Sequence, residues 1–219
     1  MLDAIERLRA FYGALPLPPS LPFAVYAWEV LSIGTTPARR DSAFAALKKI
    51  PALTSDAIAR VPQSRLEAAV ALAGPMRDER VRALRAGADL FRRNPSLLED
   101  LAAGGSRALR ASRRIPHLGR ASSLRLLLYS GAAPVLPLDE HALRVSLRLG
   151  YAPGAAHRPP ARVLSLARQA LMRESGGELA TLRLISRYLS HHGLSTCTET
   201  APHCVVCPLA PDCEWIRRQ

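Results

Sequence analysis

The stretch from Arg113 to His141, RRIPHLGRASSLRLLLYSGAAPVLPLDEH, constrains the chain most, because it holds a helix stop, a tight turn, a helix restart and the start of a further helix. Ala103-Gly104-Gly105-Ser106 can open a short helix that runs through Arg113. Pro116 and Gly119 bracket a two-residue turn of His117 and Leu118, and Arg120 begins an apolar-periodic run (Leu124, Leu127, Leu128) that ends near Gly131. This pattern predicts a helix-hairpin-helix. Such a hairpin turns backbone N–H groups outward at the start of its second helix, where the positive end of the dipole adds to them, so an anion such as a phosphate can sit there. Pro134 and Pro137 then break the chain. Asp139 stands where an N-cap belongs, ahead of Ala142, Leu143, Val145, Leu147 and Leu149, and Gly150 closes that helix.

The rest of the chain reads as helices of the same kind. Residues 3 to 13 are amphipathic, and PLPPSLP at 16–22 is a stiff connector. Helical patterns follow at about 22–32, 38–49, 54–60, 63–73, 77–93 and 95–103, then the hairpin helices at about 106–113 and 120–130. Beyond the Pro-rich turn come helices at about 139–149, 160–174 and 178–191, with YAPGAAHRPP as the longest loop. Almost nothing alternates with period two, so the expected class is all-α.

A net charge of +12 points to a polyanionic partner. Codon bias offers a second reading, since Arg, Ala, Leu and Pro abound while lysine occurs only at Lys48 and Lys49. The N-terminal segment carries acids and no apolar run of signal-peptide length, and no run elsewhere is long enough to span a membrane. The expected location is therefore the cytoplasm, with the nucleoid. In that compartment structural disulfides are rare, so Cys197, Cys204, Cys207 and Cys213, spaced C-x6-C-x2-C-x5-C, are expected to hold one metal centre rather than two bridges. Only one C-x2-C knuckle is present, which favours iron–sulfur. Zinc stays open on spacing alone, because either centre accepts four thiolates.

IPHLGRASS, then LDEHALRVSLRLGYAPG, then HGLSTC and the cysteines, resemble in order and spacing the helix-hairpin-helix DNA glycosylases of the endonuclease III family, over roughly residues 20 to 215. The resemblance implies a six-helix barrel lobe with the hairpin at 21–135. It also implies a helical iron–sulfur lobe built from 1–20 and 136–219, with a cleft between the two. It implies a [4Fe–4S] cluster on the four cysteines, in a structural role, with basic groups nearby for phosphate. His117, Leu118, Gly119 and Arg120 would grip DNA, and Asp139 would be the catalytic carboxylate that stabilises positive charge on the sugar as an N-glycosidic bond breaks. The plain reading of Asp139 is an N-cap, and the two roles are compatible.

The chain departs from the family pattern in places. Ala121 stands where bifunctional members carry the Schiff-base lysine, which implies base removal without strand scission. His117 replaces the first hairpin glycine, so the turn must either strain its backbone or change shape. Gly34 stands where the family inserts a glutamine into the duplex. Glu29 aligns with the catalytic acid of the adenine glycosylase branch, though a carboxylate paired with a neighbouring arginine is the other reading. The expected activity is a monofunctional DNA N-glycosylase, acting as a monomer on duplex DNA with a damaged base or abasic site. The alternative is a DNA-binding paralogue with little or no activity, favoured by Ala121, His117 and Gly34.

Overall fold

The computed structural model describes residues 1–50, 53–153 and 161–219, and every regular element among them is helical. The chain divides into two compact units, Pro18–Ala133 and the pair Met1–Leu17 with Pro134–Gln219. Among the described residues no helix is long and apolar enough to cross a membrane.

The Pro18–Ala133 unit is arranged around α2 (Pro22–Ser32). Phe23 through Leu31 are all buried, because this helix has no polar face to present to water. It packs on α3 (Pro37–Lys48), α6 (Arg77–Arg93) and α9 (Arg120–Ser130). Between them lie α4 (Ser55–Arg60), α5 (Gln63–Ala71), α7 (Pro95–Ala102) and α8 (Gly105–Ser112). The helix starts follow local chemistry: Pro occupies the first position of α2, α3 and α7, and the Thr36 and Thr54 side chains accept the Arg39 and Ala57 N–H groups. Arg80 is buried at 2% exposure, with its guanidinium donating to the carbonyls of Ile33 (2.6 Å), Gly74 (3.2 Å) and Pro75. Those bonds fix two turns whose residues Gly34 (φ +59°) and Met76 (φ +69°) are left-handed.

The other unit contains α1 (Leu2–Tyr12), α10 (Glu140–Arg148), α11 (Ala161–Glu174), α12 (Leu179–Ser195) and α13 (Glu214–Arg217), with 3₁₀ turns at Cys204–Val206 and Ala210–Asp212. The N-terminal segment is held by Tyr188, whose hydroxyl donates to the Gly13 carbonyl (2.7 Å), by Arg187 on the Pro16 carbonyl (2.9 Å), and by an Arg7–Asp212 ion pair. Periodicity predicts the last long helix over 178–191, yet α12 runs on to Ser195 with Gly193 inside it. The reason lies in α10: a Cβ on Gly193 would stand 2.4 Å from the His141 carbonyl oxygen. The glycine is there for close approach, not as a stop. Of the expected loop YAPGAAHRPP, residues 154–160 lie outside the described residues.

Gly193→Ala separates two effects of opposite sign. Alanine gains about 1 kcal/mol of helix propensity, but it drives a methyl into a backbone carbonyl that cannot step aside, and overpacking of this kind costs about 1–3 kcal/mol. Denaturant unfolding should show net destabilisation, and a stabilised variant would contradict the α10–α12 packing.

Candidate functional site

The hairpin forms where the sequence places it. α8 ends at Ser112, His117 and Leu118 make the turn, and Gly119 is the N-cap of α9. His117 is left-handed (φ +62°), so the turn carries the strain of a side chain where glycine would be relaxed. Gly119 is extended (φ −71°, ψ 173°), a conformation open to any residue, and a Cβ there would meet nothing within 4 Å. Having no side chain, it leaves the first-turn N–H groups of α9 uncapped. The segment from Gly105 to Arg120 contains five arginines and no acid. Arg107 pairs with Asp100, whereas Arg110, Arg113, Arg114 and Arg120 are exposed and have no ion pair among the described residues. Arg93 of α6, likewise exposed and unpaired, shares with Arg114 and Pro116 an open groove beside the turn. Ala121, the second residue of α9, offers only a methyl group.

Glu29 is 2% exposed, and both of its oxygens are bound by Arg125 of α9: Nε lies 2.9 and 3.0 Å from Oε1 and Oε2, and Nη2 lies 2.7 Å from Oε2. Arg125 also donates to Ser122 Oγ (3.1 Å). The carboxylate is therefore the inner half of an arginine pair, the reading set beside a catalytic one above. Gly34 closes α2 in a left-handed turn, with Met76 Sδ 3.4 Å from where its Cβ would be.

Asp139 caps α10, its Oδ1 accepting the Ala142 N–H at 2.8 Å. Its Oδ2 accepts the Ser190 hydroxyl at 2.5 Å. Both carboxylate oxygens thus have fixed partners, one from its own helix and one from α12. Further along α10, Arg144 donates to the carbonyls of Gly193 (2.6 Å) and Cys197 (3.0 Å). One turn on, Arg148 donates to the carbonyls of Thr198 (2.7 Å) and Glu199 (3.0 Å) and to Cys197 Sγ (3.2 Å), with its plane 4.9 Å from the Trp215 ring.

Cys197, Cys204, Cys207 and Cys213 line one recess together with Arg148, Thr196, His203 and Trp215, and all four are free thiols. Among the described residues no three His, Cys, Asp or Glu side chains come together closely enough to hold one ion. Burial pushes the Cys197 and Cys207 thiols up, and the Arg148 guanidinium draws Cys197 part of the way back. His192, 1% exposed, sits against this loop, and burial, then His191, drives its pKa down to about 4. The loop from Thr198 to Asp212 has neither lysine nor arginine, and its tip presents Val205 and Val206. Basic groups near the cysteines, expected to face phosphate, are in part turned inward: Arg144 and Arg148 are spent on loop carbonyls.

Sequence reading missed Ser190, Arg125, Arg144 and Arg148. The signal available was the one-turn spacing of Arg144 and Arg148 on the helix that Asp139 opens.

No protein-family model matches the chain, and no curated protein matches its sequence. Solved structures do match. A non-covalent endonuclease III–DNA complex aligns at TM-score 0.70 and 21% identity, covering 99% of this chain and 94% of that one. A thermostable thymine-DNA glycosylase aligns at TM-score 0.70 and 16% identity, covering 100% and 97%. The H. pylori 3-methyladenine DNA glycosylase bound to 1,N6-ethenoadenine aligns at TM-score 0.66 and 16% identity, covering 90% and 97%. The chain has the all-helical fold of endonuclease III, along nearly its whole length.

Arg125→Leu should leave the Glu29 carboxylate buried without a partner, at a cost of about 3–5 kcal/mol. Adding Glu29→Leu should recover most of that loss in denaturant unfolding. A single variant costing no more than a surface substitution would contradict the paired reading.

Proposed function

We propose that the protein is a DNA glycosylase that binds duplex DNA through the hairpin and removes a damaged or mismatched base without cutting the strand. The observation that carries this reading is the set of exposed, unpaired arginines around a hairpin whose second helix begins with uncapped N–H groups. Arginines such as Arg7, Arg80, Arg107 and Arg125 find acids or carbonyls, whereas Arg93, Arg110, Arg113, Arg114 and Arg120 have no ion pair among the described residues. Phosphate neutralisation is the dominant sequence-independent source of DNA affinity, and it suits such a surface. The fold shared with endonuclease III and two other glycosylases supports the same reading.

In this account Asp139 supplies negative charge beside the sugar of an extruded nucleotide and orients the attacking water. The Ser190 hydroxyl and the Ala142 N–H hold the carboxylate in a single pose. Ala121 provides no amine, so no Schiff base forms there and the product is an abasic site. Cys197, Cys204, Cys207 and Cys213 would hold a [4Fe–4S] cluster. All four cysteines line one recess and only one Cys-x2-Cys knuckle is present, which supports a cluster over a zinc ribbon built from two such knuckles. Such a cluster would supply cross-linking of the loop, not chemistry on the base.

A second reading, a DNA-binding protein with little glycosylase activity, is favoured by Asp139 itself, since Ser190 occupies the oxygen that the cap leaves over. Base release from a panel of damaged and mismatched duplexes, with alkali added to reveal abasic sites, separates the two. Strand breaks that need alkali and vanish in Asp139→Asn are expected. No release from any duplex would favour the binding protein, and breaks without alkali would contradict the role of Ala121.

Gly119→Ala tests the hairpin. The chain has no need of glycine there, so stability should hold or rise by about 0.4–1 kcal/mol, while duplex affinity falls because the methyl stands where a phosphate approaches the backbone. Arg120→Ala should weaken binding regardless of sequence and reduce the slope of log affinity against log salt by about 1. Unchanged affinity in both variants would contradict the hairpin interface.

A further inference from the structure

Tyr12, the last residue of α1, meets His192 of α12 in a contact that nothing in the proposed base chemistry uses. Its hydroxyl lies 2.7 Å from His192 Nδ1 and 2.5 Å from Thr196 Oγ1, and the two rings stand edge to face at 5.9 Å. On the other side of the imidazole, Nε2 is 3.5 Å from Cys207 Sγ. The His192 carbonyl accepts the N–H groups of both Thr196 (2.9 Å) and Cys197 (2.8 Å). One residue thus braces two of the four cysteines, Cys197 through its backbone and Cys207 through its ring.

We propose that Tyr12 and His192 form an outer hydrogen-bond shell for the metal centre, in which Tyr12 donates to Nδ1 and so fixes the Nε2–H tautomer that donates to the Cys207 sulfur. This rests on the reading that the cysteines hold an iron–sulfur cluster. The direction of the bonds follows from proton counting. A neutral imidazole has one N–H and one bare nitrogen. A free Cys207 thiol could donate to Nε2, with Nδ1–H donating to Tyr12. Once Cys207 is a thiolate ligand it has no proton to give, and only Nε2–H as donor satisfies the contact. Nδ1 must then accept, Tyr12 must donate to it, and the Thr196 hydroxyl completes the chain by donating to the Tyr12 oxygen. Hydrogen bonds to ligand sulfur withdraw charge from the metal and raise the potential of an iron–sulfur centre, and partners beyond the ligands commonly decide how well a site holds its metal. Tyr12 and His192 are positioning residues here. Neither is a ligand.

The test combines three variants with two readouts on the purified, iron-loaded protein: ¹⁵N shifts of the His192 ring, and the reduction potential with the iron–thiolate stretching frequencies. Wild type should show bare Nδ1 and protonated Nε2. Tyr12→Phe keeps the ring stacking but removes the hydroxyl, and should lower the potential and loosen the tautomer preference. His192→Leu should lower the potential further and shed iron faster to a chelator, while His192→Gln, whose amide can still donate to sulfur, should recover part of both. A protonated Nδ1 in wild type would overturn the proposal, as would unchanged potential and stretching frequencies in both Tyr12→Phe and His192→Leu. Should His192→Leu fail to fold, Tyr12→Phe decides alone. Wild type that takes up no iron would overturn the cluster reading instead, and the zinc-loaded protein would still report the tautomer.

Discussion

Two guanidinium groups one turn apart on α10 hold the cysteine loop to its unit. Arg144 and Arg148 donate to four carbonyls, those of Gly193, Cys197, Thr198 and Glu199, and Arg148 reaches the Cys197 sulfur as well. The loop has little else of its own: two single-turn 3₁₀ segments, with prolines at 202, 208 and 211 that remove backbone donors. Hydrogen bonds to a charged donor contribute about 1.5–3 kcal/mol each, against about 0.5–1.5 kcal/mol for the neutral bonds within the loop. The same helix opens with Asp139. The residue proposed for chemistry and the residues proposed for metal are therefore set by one rigid element, and Gly193 lets that element lie against α12 closely enough for Ser190 to reach the carboxylate.

The hairpin obeys the opposite logic. Where an arginine is structural in this protein it is spent internally, as Arg80 is on three carbonyls and Arg125 on Glu29. Around the hairpin Arg93, Arg110, Arg113, Arg114 and Arg120 have no ion pair among the described residues, which leaves their charge for the polyanion proposed to bind there. His117 adds a local cost, a left-handed backbone under a side chain. Local rules broken together at one turn are what a ligand-binding place costs, which fits the DNA contact proposed for the hairpin.

Helices and hairpin were legible because their signals are local. Pro116 and Gly119 punctuate the turn, the Asp139 cap precedes an apolar run, and the scarcity of period-two alternation excluded sheet. At His117 the sequence left two outcomes open, a strained backbone or a different turn, and the left-handed φ of +62° is the first of them. The long-range partners were not legible. Glu29 and Arg125 are 96 residues apart, and Arg148 and Cys197 are 49 apart. No periodicity links such pairs, because they arise only once the packing has been chosen. The end of α12 was read short for a related reason: a glycine at 193 is compatible with either side of a helix end, and only the approach of the His141 carbonyl shows that it belongs inside. Ser190 gave no signal, as a serine on a helix is ordinary until its hydroxyl meets a carboxylate.

The central claim is that α10 and the cysteine loop support one another, so that filling the cysteine site stiffens the Asp139 end of the helix. Amide hydrogen exchange of α10, followed in wild type and in Cys204→Ser, tests it most directly. The claim predicts that Cys204→Ser, which weakens the loop without touching α10, speeds exchange along α10 as far as Ala142, the amide bonded to Asp139, while α2 and α6 keep wild-type protection. Unchanged protection of α10 in Cys204→Ser, with metal lost from the loop, would contradict it.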